Sequence, residues 1–156
     1  MTAFAFRETV PAPSMLTSAL GTGGANIWTD KELGKAVKLS EADDSTMVLA
    51  TNGDDIFGFV GAIAIGTVND GFSHGSVQIE GWHEAVIGSH QPTTGGQNPT
   101  VVAAKVGDFV VADDQVAHGT AGYAKVKTSA TRTCWRIMRI LSGTGVVGDK
   151  VLLMEV

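Results

Sequence analysis

The chain is poor in reactive chemistry: one cysteine, four prolines, one tyrosine, and charged side chains at only 17% of its 156 positions. Each shortage excludes something. A lone thiol, Cys134, forbids an internal disulfide and any multi-cysteine zinc site. Flanked by Thr133 and Trp135 at the head of an apolar run, it is expected to be a small buried side chain. No basic run exceeds two neighbours and the net charge is −5, so the concentrated positive charge that displaces counterions from nucleic acid is missing. The apolar stretch IFGFVGAIAIG, Ile56 to Gly66, is about half the ~20 residues of a membrane-spanning helix. Arg7 and Glu8 break the only early apolar stretch, so no secretory signal is expected and synthesis in the cytoplasm is.

What is present is a large apolar fraction, 44%, together with 20 glycines. That pairing favours a turn-rich β protein, because helices need charged outer faces and lose stability at glycine. The length suits one domain with a proper core. From Ile27 onward, short apolar runs alternate with turn chemistry: KAVKL, TMVLA, IFGFVGAIAI, SVQIEGWHEAVIG, VVAAKV, DFVVADD, AKVKT, WRIMRIL and KVLLMEV. Their spacing predicts an all-β fold, a small barrel or sandwich with very little helix. DKELGKAV, with Thr29 or Asp30 as N-cap, is expected to make one helical turn at most, because Gly34 interrupts it. In SVQIEGWHEAVIG, Gly81 breaks the run, and Val77, Ile79, Ala85 and Ile87 are the expected inward residues.

One phrase recurs. LGKAVKL (Leu33–Leu39), VGDFVVA (Val106–Ala112) and VGDKVLL (Val147–Leu153) each place a glycine and a polar residue before an apolar strand. Glycine there supplies a turn or bulge with φ > 0. The unequal spacings argue against a solenoid, so the phrase is read as local β chemistry.

Residues 1–27 differ from the single β domain expected over 28–156. Pro11, Pro13 and the glycines of LGTGGAN give no period, yet Phe4, Phe6, Met15 and Leu16 are apolar. Such an extended N-terminal arm either packs on its own domain or is kept for a partner, and Phe4 and Phe6, two apart, would share one face of a strand.

Candidate catalytic groups are sparse. His74, Glu80 and His83 come nearest to a cupin-like metal set, but the paired H-x-H is missing and Glu80 and His83 would face opposite sides of one strand. The acidic doublets Asp43–Asp44, Asp54–Asp55 and Asp113–Asp114 fall at expected turns, where Asp bonds its own backbone, and none has calcium-loop spacing. GTGG and TGGQ lack the Lys-Ser/Thr of a phosphate loop. Trp28, Trp82 and Trp135 are expected as core or interface anchors, with Trp28 and Trp82 the candidates for subunit contacts. No cofactor, metal or catalytic residue is expected.

DKELGKAVKL, NGDDIFGFVGAI with GFSHGSVQIEGW, VGDFVVADD and the ending WRIMRILSGTGVVGDKVLLMEV together resemble the head decoration (cement) proteins of tailed bacteriophages, over about residues 27–156. The resemblance implies a barrel or tulip-like body on the virion, made in a bacterial host. It would dock on the outside of an expanded shell of major capsid protein, commonly as a homotrimer, without enzymatic activity. The arm residues Phe4, Phe6, Met15 and Leu16 are then the expected grip. A small cupin-like enzyme and a tail or fibre component are the alternatives.

Overall fold

The computed structural model describes residues 15–21, 28–42, 46–64, 73–117 and 122–156. Among these residues, twelve strands run in chain order: β1 (Met15–Leu20), β2 (Ala36–Leu39), β3 (Thr46–Leu49), β4 (Gly58–Ile63), β5 (Ser73–Gln78), β6 (Trp82–Ile87), β7 (Thr93–Thr94), β8 (Thr100–Val101), β9 (Phe109–Ala112), β10 (Ala124–Ser129), β11 (Trp135–Ile140) and β12 (Lys150–Glu155). The one helical element among the described residues, a 3-10 turn at Asp30–Glu32, is capped by Thr29: its side chain accepts from Lys31 N–H, while Glu32 reaches back to Thr29 N–H. The all-β expectation therefore holds. The strands close into two barrels, β1-β3-β2-β4-β5 and β10-β6-β12-β11-β9, with β7–β8 as a separate ribbon.

The two barrels are the same structure built twice. In each, the first strand pairs parallel with the third (β1 with β3, β6 with β10), and every other ladder is antiparallel. The match extends to single bonds. Gly21 N–H donates to Met47 O at 2.7 Å and Gly88 N–H to Val126 O at 2.8 Å. Gly34 N–H donates to Val60 O at 2.8 Å and Gly107 N–H to Ile137 O at 2.8 Å. Each fourth strand carries a bulge at the same place, with Gly61 extra in β4 and Met138 extra in β11.

This explains two of the three recurring phrases. Leu33–Leu39 and Val106–Ala112 lead into β2 and β9, the second strands of the two barrels, with Gly34 at φ 78° and Gly107 at φ 101°. The third phrase leads into β12, a fifth strand, and shares only the turn chemistry.

Each barrel is filled by one apolar residue from each strand at matching register. In the first barrel these are Leu20, Val37, Met47, Val60 and Val77; in the second, Ile87, Val110, Val126, Ile137 and Leu153. All ten are buried. Of the expected inward residues, Val77, Ala85 and Ile87 are buried and Ile79 packs partly against the first core.

Two readings need correction. Met15–Leu20, inside the expected arm, is β1, hydrogen-bonded along its length to β5 and so part of its own domain. Phe4 and Phe6 lie outside the described residues. Cys134 is exposed, because the apolar run begins only at Trp135 and Cys134 sits in the bend before it, its carbonyl accepting from Val156 N–H.

Candidate functional site

The seam between the barrels gathers the chain's unusual side chains. Ala36, Ala50, Ile56 and Phe59 of the first barrel belong to the core of the second. Phe59 lies parallel to the His83 ring, centroids 3.7 Å apart and planes within 6°, and edge-on to Trp135 at 4.7 Å. Backbone pairing continues across the seam, with Gly53 N–H donating to Ala112 O and Ala112 N–H to Asp54 O, both at 2.9 Å. Lys35, buried and ion-paired to Glu32 at 3.8 Å, donates to Val116 O. Burial pulls the Lys35 ammonium below its usual value, against the opposing pull of Glu32.

His83 is the best-defined titratable group here. Burial lowers its pKa to about 4, partly offset by the Gly34 carbonyl, so the ring is neutral at neutral pH. A carbonyl can only accept, so the single N–H is on Nε2, 3.1 Å from Gly34 O. Gln78 spends its amide N–H groups on Trp82 O and Glu80 O, at 2.7 and 3.0 Å, which turns its Oε1 toward His83 Nδ1 at 3.3 Å. That second contact becomes a hydrogen bond only when the ring takes a second proton. Nε2 is thus committed, and the Nδ1 lone pair faces the Gln78 Oε1 on a stacked ring, which blocks it from a metal.

His74, Glu80 and His83 are not brought together. Among the described residues, the ligand atoms that do converge, within 4.8 Å of one another, belong to His90, Asp113 and Asp114. Asp113 is 1% exposed. It accepts from His90 N–H at 2.9 Å, and from His90 Nδ1–H and Asp114 N–H at 2.6 Å each. Burial pushes its carboxyl up, but these donors outweigh it and hold the group below the usual carboxylate range. Asp114 accepts from Asn52 N–H of the first barrel at 3.0 Å. The cluster clamps the β6–β7 turn to the end of β9 and ties it to the seam, the turn role expected of the acidic doublets.

On one side the seam opens into a cleft of about 420 Å³. Leu39, Ile56, Phe57 and Ile79 form its apolar surface; Lys38, Asp55, Glu80 and Glu155 are its charged groups, and Cys134 lines it as well. Lys38 is engaged by Asp54 at 3.1 Å and Glu41 at 3.4 Å, so the rim is acidic on balance.

The remaining expected residues fall as follows. Trp28, expected at a subunit interface, is 6% exposed in the first core, its backbone N–H donating to Ser73 Oγ at 2.8 Å. It is core because it belongs to the buried cluster of Leu20, Val37, Met47, Val60 and Val77. Trp82 opens β6 and is half-buried. Met15 and Leu16 are 46% and 38% exposed. Trp135, buried at the seam, has no hydrogen-bond partner for Nε1 among the described residues. Sequence reasoning missed the seam itself, whose one available signal was the glycine shared by Leu33–Leu39 and Val106–Ala112.

No protein-family model, curated protein or solved structure matches the chain. Among the described residues, no helix is long and apolar enough to cross a membrane.

Proposed function

We propose that this chain is a structural binding protein that decorates the outer surface of an assembled phage head. It would stabilise the shell by bridging copies of the major capsid protein and would act without catalysis. The observation that carries the reading is the tandem body: two barrels fused through a shared core, a rigid block that presents apolar side chains outward. Met15 and Leu16 on β1 and Leu39 and Phe57 at the seam are all more than a third exposed. Contiguous exposed apolar surface marks association sites, and Leu39 and Phe57 share one such surface with Ile56 and Ile79. The sequence resemblance to phage cement proteins supplies the identity of the partner, and Phe4, Phe6, Met15 and Leu16 remain the grip we assign. Association on a symmetric lattice as a homotrimer would multiply weak contacts through effective concentration.

The test is decoration of purified expanded heads, read by cryo-electron microscopy and by the heat resistance of the particles. The informative truncation is 15–156, because a cut at 27 removes strand β1 and opens the first barrel. We expect 15–156 to keep its β signal and decorate heads weakly. No added density on heads with the full chain would overturn the shell reading. One stoichiometric transition metal on the purified protein, lost in His90→Ala, would favour the metal-enzyme alternative.

A further inference from the structure

The seam cleft has an apolar floor, an acidic rim and no occupant from the described residues. Leu39 and Phe57 stand 39% and 37% exposed on it. Where the chain enters the first barrel bears directly on this. Met15 is paired with Gln78 in the antiparallel β1–β5 ladder, and the residues after Gln78 are Ile79 and Glu80, which line the cleft. Met15 therefore stands at the end of β1 that is next to the cleft, one register step from Ile79.

That stretch reads MTAFAFRETVPAPS, with Phe4 and Phe6 followed at once by Arg7. Its composition complements the cleft: two aromatic rings for the surface made by Leu39, Phe57 and Ile79, and a guanidinium for the rim carboxylates Asp55 and Glu155. The one cation lining the cleft, Lys38, is already held by Asp54 and Glu41. Reach is no obstacle. The seven residues separating Arg7 from Met15 let the two stand up to about 26 Å apart when extended, and Pro11 and Pro13 favour a change of direction within them.

We propose that the cleft between the two barrels is the seat of the chain's own N-terminal segment, with Phe4 and Phe6 on its apolar floor and Arg7 at its acidic rim. Tethering makes this an intramolecular association, with an effective concentration in the millimolar range for a short linker. Occupation of the seat and engagement of a shell by the same side chains are competing states, so the free protein stores its arm and decoration draws it out. The seat itself does not depend on the shell reading.

Cys134, the only thiol, lines the cleft and reports on it. The experiment is the rate of Cys134 modification by an aromatic disulfide reagent in the full-length protein, with far-ultraviolet circular dichroism to confirm the fold. We expect the double variant Phe4→Ala, Phe6→Ala to react several-fold faster than wild type, and Arg7→Glu to give a smaller acceleration. Equal rates in all three proteins would overturn the proposal. Shielding that disappears on dilution would also overturn it, by assigning the seat to the arm of a second copy. The assay contains no shell, so a failure to decorate heads leaves its result intact.

Discussion

At one register position the first barrel carries Phe59 and the second Arg136. Each residue precedes the bulge of its fourth strand and faces the second strand, opposite Ala36 and Phe109 respectively. Phe59 is fully buried and stacks on His83 of the other barrel. Arg136 is exposed; its Nε–H donates to Gly107 O at 2.9 Å and its guanidinium lies 5.9 Å from the Phe109 ring centroid. The carbonyls tell the same story, since Gly34 O is satisfied by His83 across the seam and Gly107 O by Arg136 within its own barrel. One backbone thus serves as a joint in one copy and as a finished end in the other. The aromatic-to-cation difference suits the two roles, because burying an unpaired charge costs far more than burying a ring.

The sharpest test replaces both residues with alanine. Phe59→Ala removes a buried ring that two other rings pack against, and we expect a loss of about 3–5 kcal/mol in urea denaturation. Arg136→Ala, at the matching place, should stay within about 0.5 kcal/mol. Similar losses in the two variants would break the distinction between joint and end.

Acid should act on the joint before it acts on either barrel. The folded-state pKa of His83 is about 4 against 6.5 for a free histidine. A depressed histidine binds its proton less readily when folded than when unfolded. The associated stability is therefore complete above pH 6.5 and is lost as the pH falls through that value toward 4. The whole effect amounts to at most about 3 kcal/mol. Leucine stands at the matching position of the first barrel, Leu16. His83→Leu should therefore flatten the dependence over that range, at a cost at neutral pH of about 1 kcal/mol for the bond to Gly34. A variant that keeps the wild-type pH profile would place the acid sensitivity elsewhere.

The two phrase glycines give the smallest contrast. Both have positive φ, so alanine strains either one, by about 1 kcal/mol. A Cβ at Gly34 would also come within 2.7 Å of the Gly122 carbonyl oxygen, whereas one at Gly107 would meet first the movable Arg136 guanidinium, at 3.1 Å. Gly34→Ala should therefore be the more destabilising, a ranking that paired thermal melts will check.

How much of this was legible in the sequence follows from what β structure requires locally. The all-β class, the glycine turns and the break at Gly81 depend on neighbouring residues, and they were read from them. The duplication was not, for two reasons. Barrel cores accept any apolar residue that fills the space, so Leu20 answers to Ile87 and Met47 to Val126, and of the matched core pairs only Val37 and Val110 are identical. The second copy also carries β7–β8 between its first and second strands, where the first has a shorter connection that includes the 3-10 turn, and this shifts the spacing that a search for repeats relies on. Cys134 was misread because the boundary between bend and strand, one residue away, decides its exposure. The partners of His83, Gly34 and Phe59, are distant in sequence and nothing local announces them.

The order in which the strands emerge from a ribosome gives barrel closure a direction. The first barrel is sealed by the ladder between β1 and β5, so it can close as soon as Gln78 has emerged. The second is sealed by β6 against β12, and Trp82 waits for its partner Met154. Ladders between strands so far apart form slowly. For most of that interval the first barrel is complete while Phe59, Ala36 and Ile56 lack the core they will share. A nascent chain paused there presents an apolar face that a chaperone, or the same face on a neighbouring nascent chain, can engage. Translation speed across β9 to β12 is therefore a lever on the yield of this protein, and one that leaves the finished fold unchanged.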